Sequence, residues 1–284
     1  MKFPMIIFFS LACFLLSASV GHAQTPSPAP QRETGFLRRS VTLRDRTIDY
    51  RVYIPMGYDP AKKYPVILYL HGRGGRGSDN ERQIGGAHLG SVIQLFDMKY
   101  PERYRSFIAV FPQTRSGWSD ELLEDAIKAL DQTVREFNGD PQRIYLAGLS
   151  LGGYGCWHLA AKYPKKFAAV VPLSGGVVFP SVLRGASLKS VVAADMPAEM
   201  FALYSAPDPY AAFAKAIGKT PVWIFHGAQD DTIDVSQARK MAAALKAAGG
   251  TVKYTEYPEE KHFIADRVFT DAEFWTWLMA QKLP

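Results

Sequence analysis

Tyr64 to Leu70, Tyr-Pro-Val-Ile-Leu-Tyr-Leu, carries no charged side chain at any position. A run of that kind reads as a strand covered on both faces, the hallmark of a parallel sheet rather than a half-solvated one. Phe107 to Phe111, Ile144 to Ala147, Phe167 to Pro172 and Val222 to Phe225 repeat the pattern. Helical spacing separates them. Leu123, Ile127, Leu130 and Val134 mark a helix over Asp120 to Phe137 that Asn138-Gly139 ends, and Leu151 to Lys162 marks a second. A third runs from Val235 to Ala248, stopped by Gly249-Gly250, and an amphipathic helix over Phe269 to Leu283 closes the chain. Thr47 to Ile54 alternates like an edge strand, and Val252 to Tyr257 alternates as the last one. Short apolar strands alternating with helices predict an α/β fold, a mainly parallel central sheet with helices on both faces. In such sheets reactive groups gather at the carboxyl ends of the strands.

One connection is far longer than the rest. Gly176 to Thr220 joins two strands, carries helical patches at Pro197 to Tyr204 and Pro209 to Ile217, and reads as an inserted, cap-like segment. Its Phe179, Met196, Met200, Phe201, Tyr204 and Tyr210 could shape a pocket or simply pack as a flap.

The first residues stand apart from the core. Met1-Lys2 is a short cationic start, Ile6 to Val20 an apolar run, and Gly21-His22-Ala23 a small-residue exit, so 1–23 reads as a secretory signal peptide. Residues 24–34, with "QTPSPAPQR", read as a disordered Pro-rich spacer, leaving 35–284 as one catalytic domain. Loss of the leader removes Cys13 and leaves Cys156 alone, so the exported protein has no intrachain disulfide and stands on its core. No second stretch is long and apolar enough to span a bilayer, so no stable membrane insertion is expected after cleavage. The formal charge of +6 is spread among acidic neighbours rather than gathered in a stripe, which excludes nucleic acid as an expected partner.

Chemistry is concentrated at Gly148-Leu149-Ser150-Leu151-Gly152, between the Ile144 strand and the Leu151 helix. A serine pushed clear of a sheet top by a sharp strand-to-helix turn needs small residues two before and two after it, and this is the nucleophile elbow. A serine hydroxyl also needs a base and a group that orients the base, which follow such an elbow in the order acid, then histidine. His22, His71 and His88 precede Ser150, His158 lies inside the next helix, and His226 reads as shaping a turn before Gly227. His262, in "YPEEKHF" beyond the last strand, is left as the base. The acid should follow the Val222 strand, where Asp230 at the loop apex is the first choice and Asp231 the alternative, with Asp234 capping the next helix. An oxyanion would take the N–H of Leu151 and one from "LHGRGGRG", Arg73 first and Gly74 second. That loop lacks the endings of a P-loop or a dinucleotide fingerprint. Trp118, in "SGWSD", could stack on an aromatic or sugar moiety, or staple the start of the Asp120 helix.

Taken together, "LHGRGGRG", "VFPQ", "GLSLGGYG", "PVWIFHGAQDD" and "YPEEKH" resemble the α/β-hydrolase fold. Within it the chain resembles the secreted esterases and peptidases grouped near polyhydroxybutyrate depolymerases, feruloyl esterases and dienelactone hydrolases. The resemblance runs from about Ser40 to the end, outside the insertion, and implies Ser150, Asp230 and His262 as a triad. Ile233-Asp234 and Lys261 depart from the valine-proline and glycine common in those members. The expected activity is that of a serine hydrolase acting on small-molecule or carbohydrate-linked esters of the feruloyl or acetyl type, with no metal and no cofactor. Peptide hydrolysis by the same groups, or a dormant carbohydrate-binding protein, are the competing expectations.

Overall fold

The computed structural model describes residues 33–43, 45–85, 106–190 and 196–284. The leader and nearly all of the spacer, and with them His22 and Cys13, lie outside the described residues, as does His88. The continuously apolar runs are buried at every position: β3 (Tyr64–Leu70), β4 (Ile108–Pro112), β6 (Ala169–Leu173) and β7 (Val222–Gly227). With β1 (Gly35–Thr42), β2 (Thr47–Ile54), β5 (Gly139–Leu149) and β8 (Val252–Tyr257) they form one sheet in the order β1-β2-β4-β3-β5-β6-β7-β8. From β4 onward in that order every pairing is parallel, whereas β1, β2 and β4 pair antiparallel.

The alternation along each strand divides the core in two. Val66, Leu68 and Leu70 face one apolar layer, and Ile67 and Tyr69 face the other. Helices α2 (Asp120–Glu136) and α3 (Leu151–Lys162) cover the first face, preceded in the chain by the short α1 (Arg82–Gly85). Ser119 starts α2 by accepting the Leu122 N–H at 3.3 Å, with Asp120 and Glu121 in the first turn where the helix dipole favours acids. The insertion supplies α4 (Pro180–Leu183), α5 (Ala198–Tyr204) and α6 (Pro209–Ile217), and α7 (Ser236–Ala247) follows β7. Met200, Phe213 and Ile217 are buried in the same layer as α3, so the described part of the insertion is core as much as cover. Its aromatic rings run in sequence from the elbow helix: Tyr154 stacks on Phe179 at 5.5 Å, Phe179 on Tyr204 at 5.3 Å, and Tyr204 meets Phe213 edge-on at 4.8 Å. The second face is closed by α8 (Ala265–Phe269) and α9 (Ala272–Ala280), where Trp275 stacks on Phe107 at 5.0 Å.

Two expectations need correction. Thr47 to Ile54 is not an edge, because β1 pairs along its whole length, Gly35 with Ile54 through Thr42 with Thr47. The closing helix expected over Phe269 to Leu283 is shorter, Ala272–Ala280, and is preceded by a separate short helix, Ala265–Phe269. Asp271 sets the start of Ala272–Ala280 as its cap, accepting the Glu273 N–H at 2.8 Å. Among the described residues no helix is long and apolar enough to cross a membrane.

Candidate active site

Ser150 sits between the last residue of β5 and the first of α3, with φ 58° and ψ −114°. A non-glycine residue in such a region stores about 1–3 kcal/mol, which the surrounding packing must hold in place. The glycines explain how it is held. A Cβ on Gly148 would come within 2.5 Å of the Gly152 carbonyl oxygen, and one on Gly152 would overlap the Leu70 carbonyl oxygen of β3. Only bare backbone lets α3 start so close beneath the sheet. The Ser150 N–H is fixed to Leu173 O on β6 at 2.8 Å, and the Ser150 carbonyl accepts the Gly153 N–H at 2.8 Å.

Strands β7 and β8, parallel neighbours, deliver the other two side chains. His262 is 5 % exposed, with Nε2 2.8 Å from Ser150 Oγ and Nδ1 2.8 Å from Asp230 Oδ2. The serine hydroxyl can donate to Nε2 while Nδ1–H donates to the carboxylate. Burial by itself would push the Asp230 carboxyl up, but the His226 Nε2 beside it and hydrogen bonds from His262 and the Ile233 N–H outweigh burial and hold the group well below the usual carboxylate range. Oδ1 accepts the Thr232 and Ile233 N–H groups, each at 2.9 Å. Asp231 points elsewhere, to Lys261 Nζ at 3.4 Å on the surface. Asp234 accepts the Ser236 N–H at 2.8 Å at the head of α7. The acid and histidine loops cross at Gly227, where any Cβ would overlap the Glu260 and Lys261 carbonyl oxygens.

The loop after β3 lies against the serine, since a Cβ on Gly72 would be 3.5 Å from Ser150 Cβ. There Arg73–Gly75 forms a single tight turn in which Gly75 donates to Gly72 O at 3.0 Å and Arg76 to Arg73 O at 3.3 Å. Among the described residues the Arg73 and Gly74 amides have no acceptor, and Leu151 presents the first N–H of α3.

His71 supports this loop from beneath. Fully buried, it donates Nδ1–H to Gly72 O at 2.7 Å and accepts the Thr114 N–H on Nε2 at 3.1 Å. Burial lowers its pKa to about 4, so the ring is neutral. Trp118 is half-buried, tilts on the His71 ring at 4.8 Å and donates its indole N–H to His71 O at 2.9 Å. It also borders a cleft of about 330 Å³ with Gln113, Arg115, Ser116 and Arg46. From the sequence alone His71 reads as merely upstream of the serine and His226 as a turn former. Both are polar residues ending apolar strands next to glycine, and that placement was the available signal. Among the described residues no cluster of three or more His, Cys, Asp or Glu is arranged to hold a metal.

Known proteins place this geometry in context. The chain is 26 % identical over 195 residues to the bifunctional acetylxylan esterase/xylanase XynS20E of Neocallimastix patriciarum, covering 66 % of this chain and 22 % of that protein. It is 25 % identical over 246 residues to dipeptidyl-peptidase 5 of Porphyromonas gingivalis, covering 75 % and 32 %. The match covers a third or less of each of these relatives. Among solved structures, a thermostable esterase superposes with a TM-score of 0.68 at 27 % identity, covering 87 % of this chain and 63 % of the other. The family model for the prolyl oligopeptidase family matches residues 112–281, more than half of the chain. With an α/β-hydrolase sheet, esterase and peptidase relatives and that match, the chain belongs to the prolyl oligopeptidase family of serine hydrolases.

Proposed function

We propose that the chain is an exported carboxylic ester hydrolase working through an acyl-enzyme on Ser150, with His262 as base and Asp230 as its orienting acid. The observation that carries this proposal is the unbroken series of 2.8 Å contacts from Asp230 through His262 to the strained Ser150 hydroxyl. Ser150 Oγ attacks the ester carbonyl carbon as its proton passes to His262 Nε2. Asp230 stabilises the resulting imidazolium and fixes its tautomer. The Leu151 and Arg73 amides receive the oxyanion, and the departing alcohol takes the proton back from Nε2. Water then repeats the cycle on the acyl-enzyme and frees the acid. No step calls for a metal or an organic cofactor.

Acetyl or feruloyl groups esterified to a carbohydrate or another small alcohol are the proposed substrates. An acetylxylan esterase among the relatives favours that class, as does the half-buried Trp118 packed on His71 beneath the Arg73 loop. The dipeptidyl-peptidase relative favours a second substrate class, peptides, because amides are cleaved by the same groups. Export rests on the leader over 1–23, and the mature chain should begin at Gln24 on amino-terminal sequencing. Ser150→Ala should abolish p-nitrophenyl acetate and butyrate hydrolysis without unfolding the protein, and a fluorophosphonate should label Ser150 in the parent. Unchanged turnover in Ser150→Ala would exclude the mechanism. Turnover of fluorogenic peptides far above that of esters would move the substrate from ester to amide.

A further inference from the structure

His226 has no part in the proton transfers above, yet it is fully buried and touches the acid. Its Nε2–H points at Ile233 O, 2.9 Å away, and Nε2 lies 3.0 Å from Asp230 Oδ2. Both neighbours are acceptors, so the ring proton belongs on Nε2. Nδ1 is buried with no partner among the described residues. Leaving such an atom unsatisfied costs about 1–3 kcal/mol, a penalty that an apolar residue at the end of this apolar strand would avoid.

The position of the ring suggests what offsets that penalty. Ile233 donates its own N–H to Asp230 Oδ1, while its carbonyl is held by His226. His226 thus braces the Asp230–Ile233 turn from the rigid end of β7 and stands beside the same oxygen, Oδ2, that receives His262 Nδ1–H. The geometry points to His226 as a positioning residue for the acid, aiming the Asp230 carboxylate and tempering how strongly it supports a charged His262; this rests on the hydrolytic role given to those residues above. The charged and titratable groups around it are Asp230 and His262 on the two loops, Asp234 at the head of α7, and Glu256 on β8 with its partner Arg239.

A donor beside Oδ2 lowers the proton affinity of the carboxylate. Without it the carboxylate is more basic, the His262 imidazolium is better stabilised, and the acidic limb of kcat/KM moves to higher pH. In His226→Leu the limb should rise by about half a pH unit. kcat should fall about tenfold, a loss typical of groups that orient a reacting residue, with KM for p-nitrophenyl butyrate unchanged. His226→Gln, whose amide N–H reaches a similar place, should restore most of both. An unmoved limb and kcat in His226→Leu, or equal losses in the two variants with no limb shift, would overturn the assignment.

If His226→Leu does not fold, the full-length parent labelled with 15N-histidine decides the matter. Long-range proton–nitrogen correlations at neutral pH should show His226 as the Nε2–H tautomer, and an Nδ1–H tautomer would remove the contact. That measurement does not depend on turnover, so an inactive parent or an active Ser150→Ala would defeat the hydrolytic mechanism without deciding the His226 contact.

Discussion

Gly152 and Leu70 approach so closely that a single methyl group on the glycine would overlap the carbonyl oxygen ending β3. The strand that leads to the Arg73 loop and the helix that starts beside Ser150 therefore share one contact, and neither can retreat without moving the other. Gly152→Ala should lose about 3 kcal/mol, the upper end for overpacking a dense site. Urea unfolding followed by circular dichroism measures it. A midpoint like the parent's would show that the elbow has slack.

Asp230 and Asp231 are adjacent in sequence and opposite in environment. Asp230→Asn should leave His262 in the wrong tautomer and reduce kcat about 10⁴-fold. Asp231→Asn, which loses only an exposed contact with Lys261, should stay within about twofold of the parent. Steady-state kinetics on p-nitrophenyl butyrate separates the two.

Arg73 starts a tight turn, where a proline is tolerated because the first N–H has no partner within the turn. Arg73→Pro deletes that N–H, and Arg73→Ala deletes only the side chain. Relative to Arg73→Ala, Arg73→Pro should lose about 10²-fold or more in kcat, the value of one oxyanion donor. Equal activity would transfer the role to Gly74.

His71 makes stability depend on pH. Burial lowers its pKa from 6.5 to about 4 in the folded protein. Between those values the unfolded chain takes up a proton that the folded one refuses, so stability falls as pH drops from 6.5 and levels off below 4. The full effect is about 3 kcal/mol, because each pH unit separating the two values contributes about 1.36 kcal/mol. Urea midpoints at pH 7, 5.5 and 4.5 should follow it, and His71→Leu, less stable at pH 7, should flatten the slope over that range.

The sheet interior is legible in the sequence because parallel strands covered on both faces must be apolar throughout, as β3, β4 and β7 are. β1 is not, because Arg38, Arg39 and Ser40 interrupt its pattern. Arg39 and Arg38 are held by Glu136 and Glu81 through contacts distant in sequence. At the site, strand-end positions and glycine spacing point to where Ser150 and His262 must lie. Position alone leaves Asp230 and Asp231 open, and only the fold decides which carboxylate turns inward toward His262. The part of His226 was hidden for the same reason. A histidine before glycine looks like a bend until Asp230 and Ile233 are seen folding back onto it.

The crossing at Gly227 has a practical outcome for anyone reshaping this protein. Acid and histidine loops pack backbone against backbone there, so libraries at 227 would mostly sample broken proteins, whereas the side chains of 260 and 261 lie outside that contact. Val178 and Leu183 in the insertion, half-covered and open, are gentler places to change side-chain size.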